Sequence, residues 1–280
     1  MKREIRNITR ELNDYNIDNS HKKISVCLFD KDIENLAISI NKNIDLNIEA
    51  QAKQRKIDED LKKSIANISH DLRTPLTSVI GYMQMIKKSA LTKEDQDKYL
   101  DIALNRANVL HDLLKDFFEL SVIESPEYKL QNELVNINNI LCEVLTSFYE
   151  AFSSKGIVPK ILVPDENITA IGDKVAIRRV IENLIVNMIK YSGDEASIDL
   201  YTEDKKVVLC TANSSPNIRE EDVNLIFDRF YNGEAARTNS NSTGLGLAIA
   251  KSLMEKMGGD IYGELKQDKL YIFCKWRSNF

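Results

Sequence analysis

Ser69-His70-Asp71-Leu72-Arg73-Thr74-Pro75-Leu76 is the stretch whose reading decides the fold. It lies in a segment from about Ile57 to Lys88 whose apolar residues are Leu61, Ile65, Ile68, Leu72, Val79, Tyr82 and Ile86. These recur in steps of three and four, with Pro75 in the one missing slot, so the segment is expected to be a helix that buries one stripe against partner helices. His70 lies two residues from both Ile68 and Leu72, about 200° around a helix, and should point away from that seam. Thr74, one turn on, shares its exposed face. Pro75 removes a backbone hydrogen bond and is expected to kink or loosen the helix just beyond the histidine. A surface His beside an Asp is by itself usually only solvated. An exposed imidazole next to an acid and a built-in bend is nonetheless a candidate reactive site.

The next segment, about Lys93 to Glu124, carries a second heptad seam: Tyr99, Ile102, Arg106, Val109, Leu113, Phe117 and Leu120. Thr92 can cap it, and Asp95 adds a first-turn acid. The short link Ser89-Ala90-Leu91 predicts an antiparallel hairpin. Such a hairpin cannot bury its own stripe, so two copies are expected to form a four-helix bundle in a homodimer. His111 on this helix reads as structural.

Upstream, Ile5, Ile8, Leu12 and Tyr15 fit one amphipathic stripe, and Asn13 to Ser20 reads as a break. Ile24, Val26, Leu28 and Phe29 suggest an extended connector. Asp32 can then cap a helix carrying Ile33, Leu36, Ile40, Ile44 and Ile48. Downstream of Ser125-Pro126, β-like runs at Glu133-Ile137, Ile157-Leu162, Ile198-Thr202, Val207-Thr211, Asp260-Glu264 and Leu270-Lys275 alternate with helical runs. The helices are read at about Asn138-Ser154, Lys174-Tyr191, Glu220-Phe227 and Leu245-Met257. This predicts an α+β domain with a mixed sheet and its own core. The expected division is a helical lead-in over 1–56, the hairpin over 57–126 and the α+β domain over 127–280.

A net charge of −5 with 29% charged residues argues against a general nucleic-acid surface. Cys27, Cys142, Cys210 and Cys274 form no CxxC pair, which fits reduced thiols in a cytoplasmic setting. No apolar run reaches the ~18–20 residues needed to span a bilayer. Lys2, Arg3, Arg6 and Arg10 would suit a juxtamembrane start, so a membrane part preceding residue 1 in the parent protein is expected.

Four stretches of the last domain carry chemistry. In Glu182-Asn183-Leu184-Ile185-Val186-Asn187-Met188-Ile189-Lys190-Tyr191-Ser192, Asn183, Asn187 and Lys190 share a helix face. Asn carbonyls are hard ligands suited to Mg²⁺, and Lys190 can meet a phosphate. Ile226-Phe227-Asp228-Arg229-Phe230-Tyr231 supplies aromatics expected to pack beneath a lid. The lid itself is Asn232 to Ser242, polar and poor in large apolar residues. In Thr243-Gly244-Leu245-Gly246-Leu247, the glycines allow close approach at a helix N-terminus, which favours phosphate.

The string around His70 resembles the phosphoacceptor box of bacterial sensor histidine kinases. The downstream stretches resemble the N, F and G2 boxes of that family's Bergerat-type ATP-binding domain, and the likeness covers roughly residues 57 to 280. Residues 1 to about 56 are similar in layout to the family's signal-relay module, with a plain coiled-coil lead-in as the alternative. The resemblance implies a homodimer that uses ATP and Mg²⁺ to phosphorylate His70 and passes the phosphoryl group to a response regulator. It implies that Asn187 and Asn183 hold Mg²⁺ and phosphate oxygens and that Lys190 meets phosphate. Gly244 and Gly246 would cradle the nucleotide, with Tyr191, Leu245 and Leu247 beside it. Asp71 would hold the His70 tautomer, as a carboxylate does in hydrolase triads. Asp71-Leu72-Arg73-Thr74 also resembles the family's phosphatase motif, in which Thr74 orients a water.

Two departures stand out. Where the family's G1 box reads Asp-x-Gly-x-Gly, this chain has Asn213-Ser214-Ser215-Pro216-Asn217. Asn213 can accept from the adenine amino group without charge assistance, which is expected to weaken that bond by ~1 kcal/mol. Asn232 stands where the family often has Arg, and Arg229 or Arg237 could supply that charge. The rival reading is a pseudokinase dimer that only binds a regulator. An ATPase without a phosphoacceptor is disfavoured by the His70 box.

Overall fold

The computed structural model describes residues 5–12, 23–24, 31–88, 91–192, 195–215, 218–231 and 243–278. Within the long helix it leaves out the side chains at 57, 58, 60, 61, 63–65, 67 and 88. The expected break at Asn13–Ser20, the connector residues Val26, Leu28 and Phe29, the seam side chains Leu61 and Ile65, Asn217, and the lid with Asn232 and Arg237 lie outside the described residues. The chain divides into two compact units, Met1–Ala66 and Asn67–Phe280.

In the first unit, helix α1 (residues 5–12) and the start of helix α2 (Lys31–Lys88) bury Ile8, Ile24, Ile33, Ala37 and Ile44 together. Asn41 serves the extended residue Ile24 as a neighbouring strand would. Its Oδ1 accepts from the Ile24 N–H at 2.8 Å, and its Nδ2 donates to the Ile24 carbonyl at 3.0 Å. Asp32 sits inside the first turn of α2, not at its cap. Nothing between Lys31 and Thr74 is Gly or Pro, and the helix expected to begin near Ile57 is continuous with the one around Ile33–Ile48. It also runs on through Pro75, whose ring is buried.

The second unit starts with the hairpin of α2 and α3 (Lys93–Glu124). Thr92 caps α3 as expected: its Oγ1 accepts from the Asp95 N–H at 3.2 Å and donates to the Asp95 carboxylate at 2.7 Å. Tyr82 and Tyr99 set the hairpin register with ring centroids 5.5 Å apart. His70 and His111 each lie twelve residues further from the turn, so they are level with one another. Leu113 and Leu120 are buried on the expected seam. A second apolar stripe, Leu100, Leu104, Leu114, Phe118 and Val122, stays exposed, as do Leu76, Ile80 and Met83 on α2.

The α+β part has a two-stranded sheet and a five-stranded mixed sheet. The small sheet pairs β1 (Glu133–Asn136) with β3 (Thr169–Gly172). The large one comprises β2 (Lys160–Leu162), β4 (Ala196–Glu203), β5 (Lys206–Ser214), β6 (Asp260–Lys266) and β7 (Lys269–Arg277), in the order β2-β4-β5-β7-β6. Only β2 with β4 is parallel within it. Ile198, Leu209, Ile272, Cys274 and Trp276 turn one sheet face into the core. Against them pack α4 (Ile137–Ser147), α6 (Lys174–Tyr191) and α7 (Gly246–Lys256), which contribute Ile140, Leu141, Ile177, Ile181, Leu184 and Ile249. Asp173 caps α6, its Oδ1 accepting from the Val175 and Ala176 N–H groups at 2.9 and 3.0 Å. The helix read over Asn138–Ser154 is broken at Phe148, so α5 (Tyr149–Ser154) is separate. The helical run at Glu220–Phe227 is two 3₁₀ turns. The C-terminal end of α3 joins the same core through Leu120 and Ile123, each worth about 1.5–3 kcal/mol of burial.

Candidate functional site

His70 is where the periodicity puts it. Its side chain is 78% exposed, while Ile68 and Leu72 are half-buried on the other side of the helix. Nδ1 lies 3.0 Å from Asp71 Oδ1. A carboxylate only accepts, so this contact favours the tautomer with the proton on Nδ1 and leaves the Nε2 lone pair facing outward. Thr74 Oγ1 donates to the His70 carbonyl at 3.2 Å, a one-turn back-bond.

The second group of residues gathers where α6 meets the start of α7. Asn183 is buried, and its Nδ2 has no partner among the described residues. A Cβ on Gly246 would sit 3.1 Å from Asn183 Oδ1, so the missing side chain is what lets α7 begin against that amide. Gly244 has φ +64°, and a Cβ there would meet the Phe230 backbone at 3.0 Å. Phe230, itself at φ 62°, donates its N–H to the Gly244 carbonyl at 3.0 Å. A bulky residue in this region costs about 1–3 kcal/mol and recurs at ligand clamps. Phe227 and Phe230 belong to the core itself. Leu245 and Leu247 are buried too, so what they present to a ligand is backbone N–H at a helix N-terminus. Asn187 is half-buried and Tyr191 exposed on α6. Desolvation holds Lys190 below the usual lysine pKa, with Asp116 and Asp112 opposing it.

An unpartnered buried donor and a helix start kept clear of side chains fit a phosphate-bearing nucleotide. Among the described residues no cluster of three or more His, Cys, Asp or Glu side chains could hold a metal ion. The amide oxygens of Asn183 and Asn187 are the hard ligands available beside a nucleotide's own phosphates.

Asn213 is 3% exposed. Its Nδ2 donates to the Ser214 carbonyl at 3.1 Å and to Ser215 Oγ at 2.8 Å. A flipped amide would set Oδ1 against a carbonyl oxygen, so the orientation is fixed and Oδ1 is the outward acceptor. The sequence alone expects Asn213→Asp to tighten ATP binding or leave it unchanged. The engaged amide donor reverses that expectation. Asp would lose two buried donations and face the Ser214 carbonyl with an anion, at a cost of about 1–3 kcal/mol. ATP binding by calorimetry should weaken about fivefold or more; equal or tighter binding would contradict this.

Sequence reasoning missed the polar seam that joins α3 to this site. Arg179 on α6 donates from Nε and Nη2 to Glu119 at 2.7 and 2.5 Å, a bidentate pair. Its Nη2 also lies 3.3 Å from Asp116. Thr243 Oγ1 donates to Asp116 Oδ2 at 2.8 Å. Lys256 donates to the Ser125 carbonyl at 2.9 Å. Arg229, one of the two arginines expected to bring charge to a nucleotide, lies 2.5 Å from Glu124 on the hairpin. Burial pushes the Asp116 carboxyl above the usual range, against the Thr243 hydrogen bond and Arg179. These partners are sixty or more residues apart, and no local pattern announces them.

Residues 60–126 match the His Kinase A (phospho-acceptor) domain, and residues 172–274 match the family described as histidine kinase-, DNA gyrase B-, and HSP90-like ATPase. The chain is 30% identical over 236 residues to the sensor histidine kinase YcbM of Bacillus subtilis, covering 83% of this chain and 76% of that one. It is 34% identical over 226 residues to the sensor protein VanSC of Enterococcus gallinarum, covering 80% of this chain and 61% of that one. It spans 36% of the Bacillus subtilis sensor histidine kinase WalK. Among solved structures, histidine kinase ThkA in complex with response regulator protein TrrA superposes with a TM-score of 0.68 at 25% identity. That likeness covers 83% of this chain and 66% of ThkA. Histidine kinase AdeS of Acinetobacter baumannii gives 0.62 at 25% identity over 75% of this chain and 98% of that one.

Proposed function

The chain belongs to the two-component sensor histidine kinases, and from that premise we propose that it phosphorylates its own His70 with ATP and passes the phosphoryl group to a response-regulator aspartate. The observation that carries the reading is the exposed His70 imidazole with Nδ1 held by Asp71. Nε2 attacks the γ-phosphorus, the N–P bond forms as the bond to the β-phosphate oxygen breaks, and ADP leaves. Asp71 stabilises the imidazolium that develops. The Asn183 Nδ2 group and the backbone N–H groups at the start of α7 donate to phosphate oxygens, and Lys190 adds a point charge. Asn183 and Asn187 amide oxygens would hold Mg²⁺, which offsets charge on the phosphates. Asn213 Oδ1 accepts from the adenine amino group.

The exposed stripe Leu100, Leu104, Leu114, Phe118 and Val122, with Leu76, Ile80 and Met83, suits a second copy of the hairpin. The ThkA–TrrA complex supports a response regulator as partner. Thr74 gives the same face a second activity, orienting water against the regulator's phosphoaspartate. To do so its hydroxyl exchanges the exposed back-bond to His70 for the water.

One assay tests both activities: label the kinase with γ-labelled ATP and Mg²⁺, add a response regulator, and track label transfer and then its decay. Wild type should transfer label and accelerate decay. Thr74→Ala should label and transfer normally but slow the decay about tenfold or more, if the positioned water is worth ~1.4 kcal/mol. Unchanged decay would leave Thr74 with its back-bond alone, and no transfer from wild type would remove the kinase reading.

A further inference from the structure

We infer that Asp116, a carboxylate on the phosphoacceptor hairpin, competes with the γ-phosphate of ATP for Thr243, and so sets the site's preference between ATP and ADP. The inference deepens the ATP-binding reading and rests on it.

Thr243 is the residue through which the chain enters Gly244-Leu245-Gly246, the start of α7. Its Oγ1 accepts from the Leu245 N–H at 3.4 Å and donates to Asp116 Oδ2 at 2.8 Å. The threonine therefore stands among the free N–H groups at the positive end of a helix. The buried, unpartnered Asn183 Nδ2 belongs to the same end, its amide lying against Gly246. Donors gathered in this way fit an anion, and the carboxylate that reaches this end of the site, through Thr243, is that of Asp116. It acts on the site through the hydrogen bond to Thr243, and its charge also favours the protonated form of Lys190.

Asp116 is held in place from outside the site. Arg179 lies 3.3 Å from it while bound bidentately to Glu119. The carboxylate is thus an anchored anion. ATP and ADP share the base, ribose and two phosphates, and differ in the third phosphate and its charge. A fixed carboxylate at the phosphate end opposes that difference and little else, since interactions of like charge fall off with distance. Coupling is reciprocal: whatever Asp116 subtracts from ATP binding, ATP subtracts from the Asp116–Thr243 contact. Binding of ATP therefore loosens this fastening of the nucleotide domain to the hairpin, and ADP leaves it closed. The Lys256–Ser125 hydrogen bond also fastens the nucleotide domain to the hairpin, involves neither Asp116 nor Thr243, and should not distinguish the nucleotides.

The test is calorimetry of the whole chain with Mg²⁺ and either ADP or the non-hydrolysable β,γ-imido analogue of ATP. Asp116→Asn keeps the size of the side chain and removes its charge. It should raise affinity for the ATP analogue at least fivefold and change ADP affinity less than twofold. Lys256→Gln should leave the ratio of the two affinities within twofold of wild type. A ratio unchanged in Asp116→Asn would overturn the inference while leaving nucleotide binding intact. Wild type that binds neither nucleotide would overturn the ATP-binding reading, and the inference with it. A second measurement needs no variant: in wild type, backbone hydrogen exchange around Asp116 should quicken with the ATP analogue and not with ADP. Equal protection with both nucleotides would contradict the competition.

Discussion

His70→Gln is expected to fold, dimerise and bind ATP as wild type does, and to take up no phosphoryl label. The imidazole is 78% exposed and contacts the adjacent Asp71. Losing it should cost stability no more than the ~0.5 kcal/mol typical of surface changes. The glutamine amide nitrogen has no basic lone pair, so the nucleophile disappears while the nucleotide site is untouched. The effect is therefore all or none. The measurement is label retained on the denatured protein after incubation with γ-labelled ATP. Label in the variant would assign the phosphoryl group elsewhere, and His111, exposed and level with His70 on α3, would be the first place to look.

Gly244→Ala is expected to damage both stability and nucleotide binding. At φ +64° an alanine costs about 1–2 kcal/mol in backbone conformation alone. Its Cβ would also lie 3.0 Å from Phe230 Cα and carbonyl carbon and 3.1 Å from the Tyr231 carbonyl oxygen, all backbone atoms that no rotamer change can move aside. The Phe230–Gly244 hydrogen bond would have to lengthen, shifting the start of α7 away from Asn183. ATP affinity should fall tenfold or more, since 1.4 kcal/mol is a factor of ten, and the melting temperature should drop. Wild-type melting with wild-type affinity would show that this backbone approach does not matter.

What could be read in the chain is what local spacing encodes. The seams of α2 and α3, the exposed face of His70, the Thr92 cap and the bounds of α6 come from periodicity and capping chemistry. The continuity of α2 is hidden in the sequence because the change of stripe near Ile48 resembles a boundary, although no Gly or Pro lies between Lys31 and Thr74. Strand β3, Thr169–Gly172, is four residues long and draws its order from pairing with β1. The break at Phe148 carries no local breaker residue. Asn213 was legible as an acceptor, but its donations to Ser214 and Ser215 depend on a bend that the sequence does not announce. No local spacing singles out Asp116. Its importance comes from Thr243, which tertiary folding brings to it.

The central claim is that an imidazole, not a carboxylate or hydroxyl, receives the phosphoryl group. The direct measurement is the chemistry and location of the label on wild type after incubation with γ-labelled ATP and Mg²⁺. A phosphoramidate on the peptide containing Ser69-His70-Asp71, labile to acid and stable to alkali, is the predicted result. Label that survives acid, or that resides on a peptide without His70, would contradict the account.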